Sequence, residues 1–333
     1  MLKKIINYTL LLQGLILTGC VEHLITVHVH PDGKYKMHIV TKGDSTDVFD
    51  DDFSHPKPNS IWTSTQHKEQ SQNSEEETWT LETQGLLSGI TLFTKDTSSI
   101  VPLQHPITVK REENWISTTY TVQQIFRGRE VYRKYPKFGD SLQASEKADS
   151  IQWLPEAMVY VCSQALNRLK FDTSIQLELG LLERINNHLK NYFIHVETIK
   201  LMEELEQNRS EMLQTALSPF LQQLPLDFIQ EMSLAMEPFA EEIRVTHGLK
   251  DDHFQFSLVL PGMITKTNAD SVRGDTLKWA FGLKDFLNED KVIFSKSVIY
   301  SQTQFQKLVL FAILGICVFL IVLLKWCVSS FRL

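Results

Sequence analysis

The sequence has little cysteine, and what it has is badly placed for disulfides. Of its four cysteines, Cys20 closes an N-terminal apolar segment, Cys317 and Cys327 lie in and beside a C-terminal one, and Cys162 stands alone between them. A disulfide within the intervening part is therefore excluded. Cys162 sits in the apolar, helix-patterned stretch MVYVCSQAL, where a packed thiol is expected rather than a nucleophile. An excess of positive charge is also missing. With 33 Lys and Arg against 40 Asp and Glu and a net charge of −7, the chain is a poor candidate for nucleic-acid binding. It contains no G-x-S-x-G, H-E-x-x-H, C-x-x-C or P-loop, so the motif-borne hydrolase, metal, redox and nucleotide sites are absent. The expectation is a non-enzymatic protein without a cofactor. With 43% hydrophobic residues, the chain can build a substantial core.

The two ends are more informative. Residues 1–19 have a basic start at Lys3 and Lys4, an apolar run through Leu17 and small residues before Cys20, the anatomy of an export signal. Leu17, Thr18, Gly19 and Cys20 resemble the bacterial lipobox. That resemblance implies a signal peptide over 1–19 and lipid on Cys20 as the first mature residue. Val21 is not the aspartate that the lipoprotein sorting rule uses for inner-membrane retention. Near the other end, LVLFAILGICVFLIVLL runs from 308 to 324 between Lys307 and Lys325. Its 17 residues rise by about 26 Å, close to the thickness of a bilayer's hydrocarbon. A transmembrane helix over 307–328 is expected. The tail, 329–333, carries Arg332 and no acid, which places it in the cytoplasm and the body of the chain outside.

Between these ends, Pro31, Asp32 and Gly33 separate two alternating runs, so residues 24–40 read as a β-hairpin. Ile25, Val27, Val29, Tyr35, Met37 and Ile39 fall on one face, and Thr26, His28, His30, Lys34, Lys36 and His38 on the other. IWTSTQHK, EETWTLET, PITVKR and WISTTYTVQQIF read as further strands. After Pro155 the period becomes helical to about Phe239. Met158, Val161, Cys162, Ala165, Leu166 and Leu169 form one stripe. Thr173 with Gln176 forms a capping box before a seam of Leu182, Ile185, Leu189, Tyr192, Val196 and Ile199. Asn208 with Glu211 marks another helix start, and Pro225 opens a further segment. Strand patterns return in IRVTH at 243–247, FQFSLVL at 254–260, TLKWAF, and VIFSKSVIY at 292–300. The class is thus α+β: a β-rich region over 20–154, a helical insertion over 155–239, and a β-rich region over 240–306 completing the same domain, with two independent domains as the alternative.

Residues 258–281, LVLPGMITKTNADSVRGDTLKWAF, give a strand, a Pro-Gly step at Pro261 and Gly262, Thr267 with Asn268, a turn at Gly274, and a strand bearing Trp279. This stretch resembles LppM-like bacterial membrane-anchored proteins, which also have an export signal, a β-rich outer domain and a C-terminal membrane helix. The resemblance implies an envelope or surface role involving lipid and supplies no catalytic residues. From the residues themselves, Trp279 reads as core and the two glycines as backbone-geometry positions.

The histidine-rich polar face of the hairpin is the one sequence feature that invites a site. Lys34 and Lys36 among His28, His30 and His38 oppose a cation, and no carboxylate lies among them, so metal ligation is not expected. The acidic VFDDDF at 48–53 lacks the glycine and ligand spacing of a calcium loop and reads as a solvated turn. Only Val21, Glu22 and His23 separate Cys20 from the hairpin. That is about 10 Å of chain, so the basic face is expected against lipid headgroups, more strongly when histidines are protonated. The functional expectation is a membrane-surface module that binds a partner protein, through the helical insertion, or a lipid. The alternatives are a protein holding an acyl chain in its β-rich core and an unrecognised hydrolase.

Overall fold

The computed structural model describes residues 21–50, 52–70, 77–91, 102–144, 151–171, 179–196, 198, 201 and 209–330. Residues 1–20, with the expected signal segment and Cys20, the expected capping box at Thr173 and Gln176, Ile199, Asn208 and the last three residues lie outside the described residues. The chain begins with β1 (Glu22–Val29), β2 (Lys34–Gly43), a one-turn helix α1 (Ser45–Val48), β3 (Trp62–Gln70), β4 (Glu77–Ser88), β5 (Ile90–Thr91), β6 (Ile107–Glu113) and β7 (Ser117–Phe126). Helices α2 (Val131–Lys134), α3 (Pro136–Gln143), α4 (Leu154–Lys170), α5 (Leu179–His195), α6 (Arg209–Ala216) and α7 (Phe228–Gly248) follow. The chain then forms β8 (His253–Val259), β9 (Met263–Thr267), β10 (Ser271–Arg273), β11 (Thr276–Gly282), the short α8 (Leu283–Phe286), β12 (Lys291–Tyr300) and the long α9 (Gln302–Ser330).

Two sheets form the β part. One has seven strands in the order β10-β11-β8-β1-β2-β4-β3, and the other five in the order β5-β6-β7-β12-β9. The β1–β2 hairpin turns as its sequence demands. Gly33 takes φ 88°, which costs a glycine nothing, and Asp32 accepts a hydrogen bond from the Lys34 amide at 3.0 Å. Ile25, Val27, Val29, Tyr35, Met37 and Ile39 are all fully buried. They share one core with Val109, Tyr120, Val122, Phe126 and Ile293 of the second sheet. Each such side chain contributes about 1.5–3 kcal/mol, and a one-residue slip would turn the whole set to solvent. Early and late strands do meet in shared sheets: β1 pairs in parallel with β8, Glu22 beside His253, and β7 pairs antiparallel with β12. A parallel neighbour requires a long crossover, and here the helices lie within it.

The apolar stripes of the helices are where periodicity places them. Met158, Val161, Cys162, Ala165, Leu166 and Leu169 on α4 are buried, as are Leu182, Ile185 and Leu189 on α5. Phe193 fills the last core position of α5, while Tyr192 and Val196 pack partly buried beside it. Two expectations need correction. The pattern IRVTH at 243–247 is not a strand but the last turns of α7, which passes through Pro238 and ends at Gly248. Ile243, Val245 and Thr246 are buried there and Arg244 pairs with Glu241 one turn back, so tertiary packing overrides the β preference of the branched residues. Helix also starts earlier than Pro155, with α2 and with α3, which has Pro136 in its first turn.

The ends of the sheets are distinct. At the Val21 end, the His23 ring stacks on Phe254 at 4.6 Å, Phe254 meets Phe126, and Phe126 pairs with Lys291 at the start of β12. The helices join here: Arg129 donates to the Thr246 hydroxyl at 2.9 Å and the Val131 amide donates to the Leu287 carbonyl. At the other end, the Tyr120 hydroxyl donates to the Pro31 carbonyl of the hairpin tip at 2.6 Å, and Tyr120 pairs with Ser297. The Ser301 amide then donates to the Ile116 carbonyl at 2.9 Å, and α9 begins at the next residue.

Candidate functional site

The hairpin face is built as its alternation requires. His28, Lys34 and Lys36 are exposed, and His30 and His38 partly so. Pairing puts His28 beside Lys36, Lys36 beside Leu86 and Lys34 beside Ser88. The His28 and His30 rings stack at 4.9 Å. His38 is already engaged, with its Nε2 2.6 Å from Glu82 Oε1. Lys34 Nζ stands 3.9 Å from the Asp32 carboxylate at the surface, and His28, His30 and Lys36 complete the basic face.

Lys34 also reaches into something the sequence did not announce. Beside the hairpin tip, Ile61, Trp62, Leu86, Leu87, Ser88, Ile90 and Thr91 join it around a groove of about 540 Å³. Ile61, Leu86 and Ile90 are half exposed or more, while Trp62 and Leu87 form the buried floor. Gly85 makes room for the Trp62 ring, since a Cβ there would lie 2.7 Å from it. An apolar slot with one ammonium group on its rim is suited to an amphiphile carrying a negative head. The interior between the sheets, by contrast, is occupied among the described residues by the core side chains already named.

A second polar cluster is buried. Asp252 Oδ2 lies 3.1 Å from His23 Nε2, His23 Nδ1 2.8 Å from Thr41 Oγ1, and Thr41 Oγ1 2.7 Å from His55 Nε2. His55 Nδ1 continues to Thr83 Oγ1 at 2.9 Å and Thr83 to Ser64 at 3.1 Å. Asp, His and Thr in this order evoke a hydrolytic triad, but Thr41 and Thr83 are buried. Burial, aided by the neighbouring His23, pushes His55 down to about 3. His105, stacked among Phe53 and Phe126, is pushed down to about 3 by burial and by its histidine neighbours. Cys162 is buried and inert, its thiol pushed up to about 12 by desolvation.

Two readings of the sequence change here. VFDDDF is not wholly a solvated turn, because Phe53 turns inward against His23, Phe254 and His105 and draws Asp52 into the protein. The Asp52 carboxyl packs against Gly248, where a Cβ would sit 1.5 Å from its oxygen. Burial and then Asp50 raise its pKa to about 8, against the pull of Arg244, whose Nη1 lies 3.6 Å away. Nor do Val21, Glu22 and His23 form a tether, since Glu22 already begins β1. Val21 and His23 are buried, and the Val21 carbonyl accepts from His253. Val21 lies at the end of β1 opposite Lys34 and Lys36, so closeness to Cys20 does not by itself carry that face to headgroups.

The described part of α9 contains the run Gln302–Ile321, with mean hydropathy 2.1 and none of it buried, long and apolar enough to cross a membrane by length and composition. Trp279 is core, its Nε1 donating to the Asn268 carbonyl at 3.0 Å, and Gly262 and Gly274 take positive φ. Asn268 ties this stretch to the other sheet, donating to Val292 and accepting from the Phe294 amide.

No family model matches the chain, and no curated protein matches it. Among solved structures it has a weak similarity to the NMR structure of the folded domain of Mycobacterium tuberculosis LppM, with a TM-score of 0.29 and 6% identity over 87% of this chain and 96% of that one.

Proposed function

We propose that the chain is a non-enzymatic module of a bacterial cell envelope, held by the single-pass helix α9 with its body on the extracytoplasmic side, which binds an anionic lipid at the groove beside the hairpin tip. The observation that carries this reading is Lys34 on the rim of a slot formed by Ile61, Leu86 and Ile90. Alkyl carbons fit the slot, and the negative head meets Lys34, with Lys36, His28 and His30 along the same face. In this reading Cys20 carries acyl chains as a further attachment.

The test uses the full chain in nanodiscs containing both phosphatidylglycerol and phosphatidylcholine, released gently for native mass spectrometry. Phosphatidylglycerol should remain bound in preference, with the preference lost in Lys34→Glu and the bound lipid lost in Leu86→Asp. Equal retention of both lipids by wild type and variants would refute the groove. A second reading, a protein partner on the helices, is favoured by Phe171, Ile194 and Leu234, which are more than half exposed there. Crosslinking at Ile194 in intact membranes would test it by yielding a defined protein adduct.

A further inference from the structure

The strand-to-helix junction fixes how the domain meets the membrane. β12 ends at Tyr300 and α9 starts at Gln302, and the residue between them is held by its amide to Ile116, so the junction contains no linker. Counting back along α9, the apolar run begins at residue 308. Residues 302–307 then span about 9 Å of helix. A leaflet's headgroup layer is roughly 5–8 Å thick. The end of the sandwich is thus brought down onto that layer.

The side chains around the junction suit such a contact. Trp115 is 56% exposed, Met263 60% and Tyr300 61%, an unusual concentration of large residues facing outward. They converge on one place. Tyr300 pairs with Ser117, two residues after Trp115, and Met263 pairs with Val298, two residues before Tyr300. Trp and Tyr are the residues that favour the membrane interface. On the adjoining β6, Lys110 and Arg111 stand against Glu112 and Glu113, and at the hairpin tip, which Arg111 and Tyr120 hold here, Lys34 stands 3.9 Å from Asp32, so the charges beside the patch are balanced and its own attraction is apolar.

We propose that the domain stands on the bilayer by this end, with Trp115, Met263 and Tyr300 seated in the headgroup layer and the helices held at the far end. The ten residues of β12 separate the two ends by about 33 Å. Val21 is at the far end, so acyl chains on Cys20 would lie too high to enter the bilayer that α9 crosses. The seat rests on α9 spanning the membrane but not on lipid binding in the groove.

The experiment places a photo-crosslinking amino acid, one site at a time, at Trp115, Met263, Ile316, Lys42 and His253 of the full chain in phosphatidylcholine nanodiscs. Lipid adducts are expected at Trp115, Met263 and Ile316, unchanged by added salt, and only background is expected at Lys42 and His253, which lie at the Val21 end. Adducts at Ile316 without Trp115 and Met263 would overturn the seat while leaving the membrane span intact. Adducts at Lys42 or His253 would show the domain lying on its side and would also overturn it. Absence at Ile316 would remove the span and the seat together. Loss of the Trp115 and Met263 adducts in salt would refute an apolar seat and leave the groove proposal untouched.

Discussion

The buried histidines and Asp52 make opposite contributions to acid stability, and one substitution separates them. His55 and His105 have folded pKa values of about 3 against about 6.5 in an unfolded chain. Their folded pKa is the lower, so their stabilisation is present above pH 6.5 and is lost as pH falls below it. Each proton that only the unfolded state binds costs about 1.4 kcal/mol per pH unit, and the two histidines together cost about 4 kcal/mol between pH 7 and pH 5. Asp52 acts the other way. Its folded pKa of about 8 exceeds the unfolded value, so the native state binds the proton first and gains about 2–3 kcal/mol over the same interval. Wild type should therefore lose only about 1 kcal/mol from these three groups, while Asp52→Asn should lose about 4. Urea unfolding of the full chain in detergent, followed by tryptophan fluorescence at pH 7 and pH 5, gives both numbers. Carboxylates distant from this pair contribute equally to the two proteins, so their difference reports Asp52 together with its neighbour Asp50. Adding His105→Phe should halve the remaining pH dependence. Parallel pH profiles for wild type and Asp52→Asn would refute the raised carboxyl, and a His105→Phe profile unchanged from its parent would refute the lowered imidazole.

Leu189→Asp places a carboxylate in the buried α5 seam, where Leu189 is 1% exposed, and should cost about 3 kcal/mol or more; unchanged urea unfolding would mean that the seam is a free surface. Gly262→Ala should cost about 1–3 kcal/mol, because φ is +86° and the added Cβ would meet the Val298 carbonyl oxygen at 2.5 Å; a neutral result would show that the β8–β9 turn adjusts freely. Cys20→Ser should yield a longer, unacylated chain that stays in the membrane fraction through α9. An unmodified mature cysteine in the intact mass of the wild type would disprove lipidation.

Much of the fold was legible because its signals are local. The strict alternation of Ile25, Val27 and Val29 against Tyr35, Met37 and Ile39, with a Pro-Asp-Gly turn between them, left the hairpin one register. The stripes of α4 and α5 read equally well because they repeat over several turns. What failed were places where distant residues decide. Ile243, Val245 and Thr246 look like strand residues until α7 buries them, and Asp52 looks solvated until Phe53 finds the rings of His23 and Phe254. The groove escaped notice for the same reason: its walls come from β2, β3, β4 and β5, and no short stretch contains enough of it to be recognised. His23 was lost among its polar neighbours because one residue of register separates a tether from a buried, hydrogen-bonded imidazole.

The parallel pairing of β1 with β8 has a consequence for how the chain is made. If the chain is exported N-terminus first, β1 emerges at once, yet its edge toward β8 stays open until the whole helical segment has crossed and His253 arrives beside Glu22. The second sheet waits longer still, because β7 gains β12 only as α9 reaches the translocation channel. Such long-range closure is slow, and an open, apolar strand edge invites pairing with other chains meanwhile. On that route the nascent protein would depend for a prolonged interval on whatever shields unfinished sheets, and a stalled or truncated chain would keep its first strand unpaired on the β8 side.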